Sequence, residues 1–185
     1  MLTTPRLLLR SYQLADATAL QDAITTSLPE LRKWMPWAQK DPTLEGQEAT
    51  ILHFQKKEAE GKEWTLGLFL TDGTFLGSSG YRLEDAETPE YEIGYWLDTR
   101  HTGKGYATEA VKAQTSHLFQ ALGANRVSIH CQAENHASAS VAKRLGYICE
   151  GRLRNHRRHM NGSLSDTLIF AHTPESWQQT VTNLA

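Results

Sequence analysis

Apolar positions along the chain fall into two periods. Over 14–25, Leu14, Ala17, Leu20 and Ile24 recur at helical spacing and predict a first helix. Residues 28–38, LPELRKWMPWA, are interrupted by Pro29 and Pro36. They predict only a short helix and an ordered loop, because the residue before a proline is driven out of helical backbone. A second helix is predicted over 46–60, ended by the EGK stretch. Ala107, Ala110, Val111, Leu118, Phe119 and Leu122 mark a long helix with Gly123 as its stop, and 137–146 reads as a short helix closed by Gly146.

The other period is two. Apolar runs bounded by turn residues predict strands at 6–12, 64–71, 75–84, 91–98 and 126–131. A DG pair at 72–73 makes the central three antiparallel, and 147–173 reads as a long hairpin turning at the NG of 161–162. The order is β-α-α-β-β-β-α-β-α-β-β, so the class is α+β. One mixed, mostly antiparallel twisted sheet of roughly seven strands is flanked by roughly four helices. No repeat or Pro/Gly-rich linker interrupts the pattern, so residues 1–185 are expected to form one domain.

The glycines of TGKGYATEA (102–110) add chemistry to this outline. A side-chain-poor turn opening into a helix lets a ligand approach the backbone, and a helix N-terminus offers unpaired N–H groups to an anion. A phosphate cradle and a bare tight turn are both open at this point. A dinucleotide fingerprint would read GxGxxG after an early strand, whereas this turn is GxGxA after a fourth. A Walker loop would follow Gly-Lys with Ser or Thr, but Gly103-Lys104 is followed by Gly105. Both nucleotide readings fail.

Composition excludes other classes. The formal charge of −2 argues against bulk electrostatic binding of nucleic acid. No apolar run is long enough to cross a bilayer. MLTTPRLLLRSYQ lacks the apolar core and cleavage site of a signal peptide, so a cytoplasmic location is expected, with Cys131 and Cys149 as free thiols. His156 and His159 adjoin Arg157 and Arg158, which repel a cation, so no metal site is expected.

The glycine turn and four further motifs resemble the GCN5-related N-acetyltransferases, in particular their ribosomal-protein N-terminal acetyltransferase (RimJ/RimL-like) branch. TPRLLLRSYQLADATAL resembles the branch's opening strand and helix, LRKWMPW its Trp-containing loop, and YEIGYWLD its fourth strand. The glycine turn resembles the (Gln/Arg)-x-x-Gly-x-(Gly/Ala) loop that wraps the pyrophosphate of acetyl-CoA, and AENHASASVAKRLGYICEG its second cofactor motif. The resemblance implies a sheet splayed at the fourth strand, acetyl-CoA as co-substrate and no metal. It implies cofactor contacts from Leu97, Thr102, Gly103, Lys104, Gly105, Tyr106, Ala107, Thr108 and Asn135.

Thr102 stands where the family has Gln or Arg; an alternative register would begin at Arg100. Lys104 and Asn135 have plainer readings too, as a solvated loop lysine and a helix cap. The resemblance makes Glu92 the base, with Glu90 as fallback, against an outward strand residue paired with an arginine. Many relatives carry a Tyr as thiolate acid where this chain has Ala142. Ser138, one turn earlier, is the implied substitute, against a simple helix-start hydroxyl.

The implied reaction is direct transfer of acetyl in a ternary complex to a primary amine, such as the N-terminal α-amine of a ribosomal protein. At an α-amino pKa of ~8 roughly a tenth is neutral at pH 7, against below ~0.1% for lysine, which suits a site with one base. A small-molecule amine (polyamine, amino acid or antibiotic) is the alternative acceptor. A non-catalytic acyl-CoA-binding module is the third reading, disfavoured by Glu92 and Ser138. No nucleic acid or membrane partner is expected, and a homodimer is left open. RLRNHRRH (152–159) reads as a solvated hairpin or as a docking strip for an acidic partner.

Overall fold

Strand alternation decides how the sheet is buried. In the computed structural model, which describes residues 1–159 and 162–183, Tyr91 and Ile93 point into one apolar cluster, and Tyr95 and Leu97 pack against it. The intervening Glu92, Gly94 and Trp96 therefore face the other side, where Trp96 packs against a second cluster. The first cluster contains Val111, Leu118 and Phe170; the second contains Leu20, Ile24, Ile51 and Phe75. Helices thus cover both faces of one sheet.

The strands are β1 (Leu2–Thr3), β2 (Leu7–Ser11), β3 (Glu63–Leu70), β4 (Phe75–Asp85), β5 (Glu90–Leu97), β6 (Arg126–Gln132), β7 (Ile148–Arg158) and β8 (Leu164–His172). Their order across the sheet is β1-β2-β3-β4-β5-β6-β8-β7. Among the described residues only β5 and β6 pair in parallel, and α3 (Tyr106–Ala121) makes the crossover between them. Their pairing covers Glu90↔Arg126 to Glu92↔Ser128 and then stops. Beyond Glu92 the two strands separate, which is the expected splay. The remaining helices are α1 (Ala17–Trp34), α2 (Leu44–Ala59), α4 (His136–Arg144) and α5 (Pro174–Asn183).

The α+β class and the mostly antiparallel sheet hold, with eight strands and five helices among the described residues rather than seven and four. The expected break at Pro29 does not occur. α1 runs unbroken through it to Trp34. Pro29 lacks the N–H that would reach Thr25, but both residues are exposed, so the orphaned carbonyl faces water. The opposite face buries Ser27, Leu28 and Leu31 and carries the helix onward. Pro36 then opens a single 3-10 turn, Pro36–Gln39. Asn161, half of the expected NG turn, lies outside the described residues.

The pattern missed β1, which is two residues long, and α5, which is short and polar. α5 nevertheless has a start signal. Ser176 N–H donates to Thr173 Oγ1, Thr173 N–H donates to Ser176 Oγ, and Pro174 occupies the first turn. Trp177 and the buried His172 dock this helix, with ring centroids 5.1 Å apart. His172 also contacts Leu145 O at 3.0 Å through Nε2 and Ser176 Oγ at 2.7 Å through Nδ1.

Replacing His172 with Ala should cost about 2–4 kcal/mol, from the cavity and the orphaned partners. A scanning calorimeter should read a Tm lower by roughly 5–15 °C; an unchanged Tm would contradict this account of α5. Burial holds the His172 pKa below its ordinary value. As pH falls below ~6.5 the unfolded chain takes up a proton that the folded one refuses, so this contribution is present above that pH and lost toward acid. The variant should lack that part of the acid slope.

Candidate active site

The glycine turn is shaped for a ligand. Gly103 and Gly105 both have left-handed backbone, with φ of +76° and +81°. A Cβ at Gly103 would meet no described atom within 4 Å, and one at Gly105 would meet only Arg6 Nη2 at 3.5 Å. The first helical bond of α3 runs from Glu109 N–H to Gly105 O at 3.0 Å. The N–H groups of Tyr106, Ala107 and Thr108 therefore precede the helical ladder, at the positive end of the helix.

Side chains of the turn are mostly turned away or tied. Thr102 Oγ1 donates to Thr99 O at 3.1 Å. Arg100 is tied by the buried Asp98 and by Asp22, which removes the basic residue of the alternative register. Lys104 is exposed, as a solvated loop lysine would be.

Two cavities meet at the splay. One, of about 1180 Å³, runs past Leu97, Thr102, Gly103, Gly105, Tyr106, Ala107 and Thr108 and on to Asn135 and Ser138 of the α4 start. The sequence motifs, from four separate parts of the chain, thus line a single groove. The other, of about 650 Å³, lies between α1, α2 and the sheet, with Tyr12, Phe54 and Trp37 among its walls. Both sizes suit small-molecule sites. Met35, Arg82, Glu92, Gly94, Tyr95 and Trp96 border both cavities. Group transfer from one cavity to the other would happen here.

Glu92 is at that junction and it is also paired. Arg82, its cross-strand neighbour, places Nη2 3.3 Å from Glu92 Oε2, and His130 Nδ1 of β6 lies 3.5 Å from the same oxygen. Its pairing matches the strand reading, and its place at the junction is the one the site reading needs. The carboxylate is about three-quarters buried at 23% exposure, so it is neither solvated nor isolated. Glu90 instead pairs with Arg126 at 2.9 Å and lines neither cavity.

Ser138 belongs to a small polar cluster. Its backbone N–H donates to Asn135 Oδ1 at 3.1 Å, so Asn135 is the cap of α4 as well as a groove residue. The Tyr95 hydroxyl donates to the Ser138 carbonyl at 3.1 Å and lies 3.0 Å from Ser138 Oγ. Burial pushes the Tyr95 pKa up to about 12, so it stays a neutral hydroxyl near pH 7. Burial also raises the thiol pKa of Cys131, a further groove residue. Ala142 is buried.

Sequence reasoning missed Tyr95, Arg82 and His130. Period-two counting from Glu92 puts Tyr95 on the opposite face, toward α4, and hairpin register would have put Arg82 opposite Glu92. His130 carried no local signal, because its partner comes from a parallel strand. Among the described residues no group of His, Cys, Asp or Glu is arranged to hold a metal. His156 contacts Thr167 Oγ1 at 3.0 Å, and Arg152 pairs with Asp166 at 2.6 Å on the exposed edge strand β7.

Comparison with known proteins agrees with this geometry. The N-acetyltransferase p20 of Bacillus licheniformis, itself uncharacterized, is 30% identical over 171 residues, covering 92% of this chain and 94% of the relative. The ribosomal-protein-serine acetyltransferase of Escherichia coli K12 is 36% identical over 85 residues, 46% of this chain and 47% of that one. The solved structure of RimL, a ribosomal L7/L12 alpha-N-protein acetyltransferase in complex with coenzyme A, superimposes with a TM-score of 0.85. It covers 92% of this chain and 95% of its own at 22% identity, so it speaks to the fold. Residues 6–148 match the family described as the acetyltransferase (GNAT) domain, and the chain belongs to that family of N-acetyltransferases.

Proposed function

We propose that the protein transfers acetyl from acetyl-CoA to a primary amine, with the N-terminal α-amine of a protein, a ribosomal protein among the candidates, as the acceptor. The observation that carries the reading is the meeting of two cavities at Glu92 and Tyr95, one beside the glycine cradle and the other open to an acceptor. The open space at Gly103 and Gly105 fits a diphosphate against backbone N–H groups, while Lys104 is exposed and lines neither cavity. Backbone groups of β5 near Leu97, unpaired on the β6 side, suit the pantetheine arm, and contact with Asn135 would come through its amide. The thioester supplies an activated acetyl group when bound.

The chain's own residues do the rest. Glu92, held between Arg82 and His130, accepts a proton from the acceptor amine, directly or through one water. Ser138 donates a hydrogen bond to the departing sulfur, and the Tyr95 hydroxyl holds the Ser138 backbone carbonyl. Names of relatives that act on ribosomal proteins support a protein acceptor. A small-molecule amine is the second reading, favoured by the 3-10 turn Pro36–Gln39, whose Trp37 walls the acceptor cavity and lies 5.9 Å from Trp96. No helix among the described residues is long and apolar enough to cross a membrane, and we place the activity in the cytoplasm.

The test is thiol release from acetyl-CoA with three acceptor sets: peptides with free N-termini, N-blocked peptides with an internal lysine, and free polyamines or amino acids. Turnover with the first set alone is the expected result. Turnover only with the third would replace the acceptor, and none with any acceptor would leave an acyl-CoA-binding module.

Ser138→Ala should lower kcat and kcat/KM together by roughly 10–100-fold while the Kd for acetyl-CoA stays within about twofold. A serine is a poor acid near pH 7, so the low end of general acid effects applies. Full kcat with a lowered Tm would make Ser138 a helix-start hydroxyl and solvent the proton donor.

A further inference from the structure

The cradle lacks a cation where its sequence would supply one. Thr102 is turned back onto its own turn, Arg100 is consumed by Asp98 and Asp22, and Lys104 lies out in solvent. A guanidinium nevertheless stands beside the loop, just outside the residues that line the groove, and it comes from the other end of the sequence. Arg6, between β1 and β2, sends Nη1 to Lys104 O at 3.0 Å and lies over the Tyr106 ring at 4.7 Å. Its Nη2 is the one described atom within 4 Å of the point where a Gly105 side chain would begin.

Resting on the acetyl-CoA reading above, we infer that Arg6 is a cofactor-site residue, supplying to the diphosphate the guanidinium contact that Thr102 cannot. The donor count allows it. Of five N–H groups, Nε and one on Nη2 go to Glu109 Oε2, each at 2.6 Å, and one on Nη1 goes to Lys104 O. Two remain, one on each terminal nitrogen. They are free to donate to phosphate oxygens, as charge-assisted hydrogen bonds.

Glu109 is the positioning residue of this arrangement. Its Oε1 accepts from Thr4 Oγ1 at 2.6 Å and from the Arg6 backbone N–H at 3.1 Å. Burial works to raise its pKa, but the Thr4 and Arg6 hydrogen bonds outweigh it and hold the carboxyl below its ordinary value. Its charge cancels part of the attraction Arg6 exerts at a distance, so what Arg6 offers the phosphates is directional hydrogen bonding at close range. An ordinary structural ion pair would make Arg6 and Glu109 interchangeable in their effects. A phosphate ligand would not.

The experiment measures Kd for coenzyme A by calorimetry and for pantetheine, which lacks the diphosphate, by ligand-observed NMR. Arg6→Gln should weaken coenzyme A roughly tenfold or more and leave pantetheine within about twofold. Arg6→Lys, which keeps the charge and loses the guanidinium, should recover part of the loss, and it remains readable if Arg6→Gln folds poorly. Glu109→Gln, which loosens Arg6 but leaves its donors in place, should cost thermal stability and weaken coenzyme A clearly less than Arg6→Gln does. Unchanged coenzyme A affinity in either folded Arg6 variant overturns the inference, as does equal weakening of coenzyme A and pantetheine, or equal effects of Arg6→Gln and Glu109→Gln. Failure of the unaltered protein to bind coenzyme A would instead overturn the reading of the site itself.

Discussion

Gly105→Val should weaken coenzyme A binding by more than about 100-fold. The Cβ at this position points into open space bordered only by Arg6 Nη2, which is where the proposed diphosphate would lie. A branched side chain would fill that space and separate the phosphates from the N–H groups at the start of α3. Several charge-assisted hydrogen bonds would go at once, each worth roughly 1.5–3 kcal/mol, so a loss above about 2.7 kcal/mol is conservative. The φ of +81° adds strain of about 1–3 kcal/mol for a non-glycine residue, so stability falls as well.

Gly123→Val separates the two effects. Gly123 follows α3 at its other end, has φ +65° and equally open surroundings, and lines neither cavity. It should lose comparable stability and keep its coenzyme A affinity. Calorimetry giving an unchanged Kd for a folded Gly105→Val protein would remove the cradle.

Gly103 and Gly105 show why part of the site was legible. Their left-handed turn, the helix behind it and the Asn-to-Ser spacing at the start of α4 are local features, written in consecutive residues. So were the central strands, which read as apolar runs because each face of the sheet packs against its own apolar cluster. The splay was not legible from spacing. It arises because the parallel pairing of β5 and β6 ends at Glu92, a relation between strands more than thirty residues apart in the chain. Only family resemblance suggested it.

Misses follow the same rule. Pro29 reads as a helix breaker locally, and what overrides it is the burial of Ser27, Leu28 and Leu31 on the far side of α1. Arg6 reads as one more strand arginine until α3 brings Glu109 and Lys104 O to it. His130 acquires meaning only by reaching Glu92 from a parallel strand, whereas Arg82 was open to a register count across the β4–β5 hairpin. Residues whose chemistry depends on a partner from a distant strand carry no signature of their own.

Glu92→Gln should lower kcat/KM by about 10²–10³ at pH 7. General base help is typically worth ~10²–10⁴-fold, and an α-amine with a tenth of its molecules already neutral draws on the lower part of that range. Losing the 3.3 Å contact to the half-exposed Arg82 should matter little to stability, at most about 1 kcal/mol. The pH dependence gives the sharper reading. An α-amine of pKa ~8 goes from about a tenth neutral at pH 7 to about nine-tenths at pH 9. If Glu92 serves to take that proton, solvent does more of its work as pH rises, and the deficit of Glu92→Gln should shrink by up to about tenfold over that interval. A deficit that stayed constant from pH 7 to pH 9 would mean that Glu92 orients Arg82 and His130 rather than accepting the proton. A variant with full kcat and a lowered Tm would reduce Glu92 to the strand residue paired with an arginine that its register alone describes.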